Sequence, residues 1–178
     1  MNNDDKLAEI KKFIVEHPNF PKPGILFRDI FPVLRNATTF KLLTEVLVDH
    51  VKTNSPDVEV IVGLESRGFL FGPIMAQELG VSFVPVRKAG KLPGETIQVT
   101  YSLEYGQDKC EIQKDSIKAG VKVVIVDDLL ATGGTMKAAC DLLEKASANI
   151  LDCLVIIELS DLKGRDKVPK KVSSLVQY

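Results

Sequence analysis

Asp127 and Asp128 follow a run of β-branched residues, Val123-Val124-Ile125-Val126, and lead directly into Leu129-Leu130-Ala131-Thr132-Gly133-Gly134-Thr135. This is the pattern of a buried strand that ends on two acids, then turns through small and hydroxyl residues into a helix. The turn suits a phosphate: it offers free backbone N–H groups, the hydroxyls of Thr132 and Thr135, and the positive end of the helix dipole. Gly133 and Gly134 carry no side chain and allow close approach, with Ala131 beside them. Carboxylates do not seek a phosphate, so Asp127 and Asp128 serve hydroxyls or a hydrated cation. A ligand with both needs is a ribose 5-phosphate. A Walker A loop requires Gly-Lys-Ser/Thr, and no lysine follows here; a GxGxxG dinucleotide fingerprint is also absent. The competing reading is two solvated aspartates at a strand end beside an ordinary glycine turn.

Three other segments carry chemistry. Glu65-Ser66-Arg67-Gly68 follows an apolar run and precedes a helical pattern, so Arg67 and the neighbouring N–H groups can hold a pyrophosphate. Arg87, Lys88 and Lys91 form a local basic cluster, readable as an anion site or as a solvated loop. Leu26-Phe27-Arg28 lies in a proline-rich connection, where Phe27 is either a stacking surface or a core aromatic. His50 sits beside the apolar face of a helix and reads as structural. Cys110, Cys140 and Cys153 lack metal-ligand spacing with each other or with His17 and His50, and read as reduced thiols of an intracellular protein.

The elements that must position these residues follow from periodicity. Helices are expected over Leu7–Glu16 and Thr39–Lys52, in a segment that ends at Leu79-Gly80, and over Thr135–Ser147. Val58–Gly63, Val81–Val86, Lys122–Asp127 and Leu151–Glu158 are short, nearly continuous apolar runs, the signature of strands buried on both faces. The alternation predicts an α/β fold: one open, mostly parallel sheet with helices on both faces. Residues 87–115 interrupt it as a projecting flap hairpin, with strands at Thr96–Leu103 and Lys109–Gln113 around Glu104-Tyr105-Gly106-Gln107. With 178 residues, the chain fits a single domain, 1–178. Its 23 Lys+Arg against 24 Asp+Glu give a net charge of −1, which argues against a nucleic-acid arm or membrane patch. No apolar stretch approaches the ~20 residues of a membrane span, and the N-terminus has no secretory pattern.

The acid-acid-Leu-Leu-Ala-Thr-Gly-Gly-Thr run resembles the phosphoribosyl pyrophosphate (PRPP) motif of type I phosphoribosyltransferases. Over nearly the whole chain the resemblance is to their adenine phosphoribosyltransferase branch. It is carried by Phe20-Pro21-Lys22-Pro23-Gly24-Ile25-Leu26-Phe27-Arg28-Asp29-Ile30, Gly63–Phe69, Arg87–Pro93 and Tyr101–Gly106, with a departure at Ala89, where the family often has proline. The resemblance implies an N-terminal base-binding hood (about 20–35) in which the Leu26 backbone contacts adenine, Phe27 stacks, Arg28 lies near the base edge and Leu159 closes the pocket. It implies a pyrophosphate site at Glu65, Ser66 and Arg67, with a cis peptide before Ser66, and at Arg87, Lys88, Lys91 and Tyr105. A ribose-5-phosphate site follows at Asp127, Asp128 and 131–135. Glu104 on the flexible flap becomes the catalytic candidate, although an exposed glutamate in a turn is ordinarily just solvated. Also implied are Mg²⁺ held mainly by PRPP, the products AMP and pyrophosphate, a homodimer, and a cytoplasmic role in purine salvage.

One backbone C=O and N–H can match the amine and ring nitrogen of adenine, whereas a 6-oxopurine inverts both, and sites of that kind discriminate by about 10⁴–10⁵. The alternatives are a transferase for another nucleobase, or a non-catalytic PRPP- or purine-sensing regulator.

Overall fold

The computed structural model describes residues 1–103 and 106–178. These form two compact units, Met1–His50 and Val51–Tyr178. In the first unit, α1 (Asn3–Lys11) is pinned at its start by a reciprocal cap. The Asn2 side chain accepts from the Asp5 N–H at 2.8 Å, and the Asp5 carboxylate accepts from the Asn2 N–H at 3.3 Å. The helix expected over Leu7–Glu16 therefore starts earlier and stops at Lys11. Val15 and Glu16 belong instead to β1 (Val15–Pro18), which pairs antiparallel with β2 (Leu26–Asp29). A β-branched residue and a proline make this stretch a better strand than a last helical turn. Next come a short helix α2 (Phe31–Arg35) and the long α3 (Ala37–Asn54), which continues into the second unit. The Asn36 side chain caps α3, accepting from the N–H groups of Thr38 and Thr39 at 3.1 Å each.

The second unit is a seven-stranded sheet. Its strands are β3 (Val60–Leu64), β4 (Ser82–Lys88), β5 (Thr96–Leu103), β6 (Gly106–Gln113), β7 (Lys122–Leu130), β8 (Asn149–Glu158) and β9 (Val172–Gln177). Across the sheet they run β5-β6-β4-β3-β7-β8-β9. β4, β3, β7, β8 and β9 are mutually parallel; β6 joins β4 antiparallel, and β5 joins β6 the same way.

Helices α4 (Gly72–Leu79) and α5 (Gly134–Lys145) cover the sheet on its two faces. Val62, Ile125, Cys153 and Val155 join the buried face of α5, where Ala139, Leu142 and Leu143 supply the helical stripe. Every residue of β3 is buried, as the unbroken apolar run requires. The flap strands are part of this sheet at their base, through the pairs Arg87↔Glu111 and Lys88↔Cys110. From Asp108 toward Gly106, β6 pairs with β5. β9 was not anticipated: Ser173 and Ser174 interrupt its apolar pattern. Among the described residues, no helix is long and apolar enough to cross a membrane.

Candidate active site

Parallel strands of one sheet deliver their carboxyl ends to a common edge, and loops there are free to make a site. In the second unit β3 delivers Glu65-Ser66-Arg67, β7 delivers 131–135, and β8 delivers Leu159. The first two loops line one cavity of about 260 Å³, walled by 65–67 and 127–136. Chemistry read from two separate stretches of sequence thus shares one cleft.

The acid pair belongs to β7, which stays extended through Leu130. Asp128 is 4% exposed and accepts a hydrogen bond from Arg67 Nε at 2.5 Å. Burial opposes the charge on Arg67, but Asp128, with Asp127 behind it, more than compensates and holds the guanidinium firmly protonated. Asp127 accepts from the Asp128 N–H at 2.9 Å. Burial pushes the Asp127 carboxyl well above the usual carboxylate range, and repulsion from Asp128 adds to it. One acid is held by an arginine; the other resists ionising.

Beyond the acids the chain forms the expected cup. Gly133 has φ +81, the left-handed conformation that favours glycine, and α5 begins at Gly134. A Cβ on Gly133 would lie 2.2 Å from the Gly164 carbonyl oxygen, so space as well as conformation excludes a side chain. The first N–H groups of α5 have no intrahelical acceptor, and Thr132, Gly133, Gly134 and Thr135 all line the cleft.

The Glu65–Ser66 peptide is cis. Glu65 is tied to the basic loop: its carboxylate accepts from Arg87 Nε at 3.2 Å and Nη2 at 3.0 Å, and from the Lys88 N–H at 2.9 Å. The Arg87 guanidinium beside it holds that carboxyl below the usual range. What Glu65 offers an anion is therefore the placement of Arg87, not a contact of its own. Arg87 Nη1 also donates to the Lys91 carbonyl at 3.2 Å.

Glu111, which sequence reasoning missed, is the second anchor of this loop. It is 1% exposed and accepts from the N–H groups of Lys91 and Leu92 and from Gln98 Nε2, each at 2.9 Å. Burial pushes its carboxyl up, but those donors outweigh it and hold the group below the usual range. Its only signal in sequence was a charge inside a strand.

Leu159 follows β8, and its N–H donates to the Leu130 carbonyl at 3.0 Å, joining it to the acid-bearing strand. In the first unit, Leu26, Phe27 and Arg28 lie on β2. Leu26 is 41% exposed, Phe27 meets Phe20 edge-on with ring centroids 5.2 Å apart, and Arg28 pairs with Glu16. Glu104 and Tyr105 lie outside the described residues.

Comparison with known proteins adds lineage to this geometry. The phosphoribosyl transferase domain family matches residues 33–177. An adenine phosphoribosyltransferase of Drosophila pseudoobscura pseudoobscura is 53% identical over 98% of this chain and 97% of its own. That of Homo sapiens is 51% identical over 98% of both chains. A crystal structure of the Saccharomyces cerevisiae enzyme, complexed with an imino-altritol bisphosphate and adenine, superposes with a TM-score of 0.95 at 49% identity, covering 97% of this chain and 99% of that one.

Proposed function

The chain belongs to the adenine phosphoribosyltransferase family, and from that premise we propose that it transfers the 5-phosphoribosyl group of PRPP to adenine, giving AMP and pyrophosphate in purine salvage. As a member of that family it is a pentosyltransferase. The observation that carries the reading is the single cleft in which an acid pair abuts a Gly/Thr cup, with Arg67 across from it.

In this reading 131–135 hold the 5-phosphate through backbone N–H groups and hydroxyls. Asp127 and Asp128 take the ribose diol, and Arg67 with Arg87, Lys88 and Lys91 takes the pyrophosphate. Arg67 and Asp128 satisfy each other in this structure. PRPP brings an anion for one and hydroxyl donors for the other, so opening the pair is compensated only by a ligand bearing both. The reaction is displacement at ribose C1′: a purine nitrogen attacks as pyrophosphate leaves, and the protein orients the partners and stabilises the departing charge. Glu104 handles the proton on the base, with Tyr105 over the pyrophosphate, and flap closure excludes water. For the base, Leu26 is the backbone reader, Phe27 the stacking ring and Arg28 the residue near its edge; Leu159 is separately assigned as a base contact.

Mg²⁺ fits this site as a passenger of PRPP. The described residues contain no cluster of three ligating side chains. Magnesium keeps several waters and binds largely through substrate phosphates, which suits an ion that would be held mainly by PRPP with no direct protein ligand. When bound, it neutralises charge on the leaving pyrophosphate. A cytoplasmic location is supported by three buried thiols with no disulfide among the described residues. No nucleic-acid or membrane partner is required.

The test is product formation from PRPP and Mg²⁺ with adenine, hypoxanthine, guanine and orotate offered separately. AMP from adenine alone is the expected result. Turnover of another base would overturn the selectivity of Leu26, and PRPP binding without turnover of any base would make the chain a sensor.

A further inference from the structure

Residues 158–167 contain a set of contacts that the transfer reaction does not use. Glu158 ends β8, is 5% exposed, and accepts four hydrogen bonds. They come from Arg165 Nε at 3.0 Å, Arg165 Nη2 at 2.6 Å, Ser174 Oγ at 2.6 Å and Gln177 Nε2 at 3.3 Å. Arg165 Nη1 donates to the Val172 carbonyl at 2.5 Å, so the guanidinium is fixed from both sides. A surface turn needs no such clamp.

The residue before this arginine lies against the phosphate cup. A Cβ on Gly164 would be 2.1 Å from the Ala131 carbonyl oxygen and 2.9 Å from the Gly133 nitrogen. Backbone therefore rests on backbone, with no side chain between them to absorb a shift. At the near end of the same segment, the Leu159 N–H holds the Leu130 carbonyl. The cup is thus supported at Leu130, Ala131 and Gly133 by one stretch of chain, and the Glu158–Arg165 clamp ties that stretch to β8 and β9.

We propose that residues 158–167 form a rigid backing for the 5-phosphate loop, with Arg165 as its positioning residue and Gly164 as its bearing surface. The proposal rests on the assignment of 131–135 as the 5-phosphate site. A loop that binds phosphate through N–H groups depends on their directions, and a displacement of about 1 Å in such a site can cost 10²-fold. Arg165 is not among the residues that wall the cleft; it acts through Gly164. Lysine cannot replace it fully, since one ammonium cannot span both oxygens of Glu158.

The experiment is calorimetric titration of the full chain and of Arg165→Ala, Arg165→Lys and Gly164→Ala with ribose 5-phosphate and, separately, with magnesium pyrophosphate, alongside melting curves. Arg165→Ala and Gly164→Ala are expected to weaken ribose 5-phosphate by about 10–100-fold while pyrophosphate affinity holds, with Arg165→Lys in between. Unchanged ribose 5-phosphate affinity in both Arg165→Ala and Gly164→Ala overturns the proposal. So does a parallel loss for both ligands that tracks the melting temperature, which is what a purely structural clamp would give. Should either alanine variant not fold, Arg165→Lys, which keeps a positive charge beside Glu158, decides: its ribose 5-phosphate affinity must fall while pyrophosphate affinity holds, and an unchanged value overturns the proposal. Failure of the unaltered chain to bind either ligand would instead overturn the functional reading on which the proposal rests.

Discussion

Asp127 and Asp128 are neighbours in sequence with opposite circumstances, and their mutants should differ accordingly. Asp128 has Arg67 as its partner. Asp128→Asn is expected to raise the PRPP dissociation constant about 10–100-fold, the range for losing a hydrogen bond to a charged group. An unchanged constant in direct titration would remove this carboxylate from the ribose site. Asp127 has a raised pKa, so the folded chain holds its proton in a pH window where the unfolded chain has lost it. Stability contributed by this group therefore falls as pH rises from the ordinary aspartate value, about 4, through the raised one. Asp127→Asn should melt higher than the unaltered chain at neutral pH, by ~2–4 °C per kcal/mol relieved, and the gain should vanish near pH 4. Paired melting curves at the two pH values check it, and a gain that persists in acid would contradict it. Glu104→Gln should lower kcat by about 10²–10³ with PRPP affinity nearly constant, as loss of acid–base assistance does. Steady-state rates with an unchanged kcat would reduce the flap to a cover.

Elements bring together what the residue scale cannot. Glu111 is 20 residues from the Lys91 N–H it accepts from, and it reaches that N–H only because β6 lies beside β4 in the Arg87↔Glu111 register. Glu111→Ala should strand two backbone donors and the Gln98 amide, weaken pyrophosphate binding about tenfold and lower the melting temperature, while ribose 5-phosphate affinity holds. Equal loss for both ligands would mean the loop is not specific to pyrophosphate. The same distinction explains what the sequence made legible. The acid pair and its cup were readable because strand, turn and helix are consecutive, and Arg67 because its loop follows a strand of the same kind. The pairing of Arg67 with Asp128, of Glu65 with Arg87, and of Gly164 with Gly133 was not, because each joins distant segments through strand order. β9 escaped because two serines break its pattern. β1 escaped because a helical period ran into it from α1.

At the scale of the whole molecule, charge and surface make different demands. A net charge of −1 leaves any anion binding to the local cluster rather than to a general field. The surface of the first unit is less neutral in character: Val15, Phe20, Ile25, Leu26 and Phe31 are each between 40% and 53% exposed. So much exposed apolar side chain within residues 15–31 supports the homodimer that the family resemblance implies. Sedimentation equilibrium should return twice the 19.6 kDa of one chain, and a single-chain mass at every concentration would refute it. The last strand carries one more consequence. Here β9 supplies Ser174 and Gln177 to Glu158, and the Tyr178 carbonyl accepts from the Ser160 N–H. A nonsense codon at position 172 would leave every residue of the acid pair and the cup encoded and still remove their support. In a gene screen, a lesion at that position belongs with the inactivating alleles, not the silent ones.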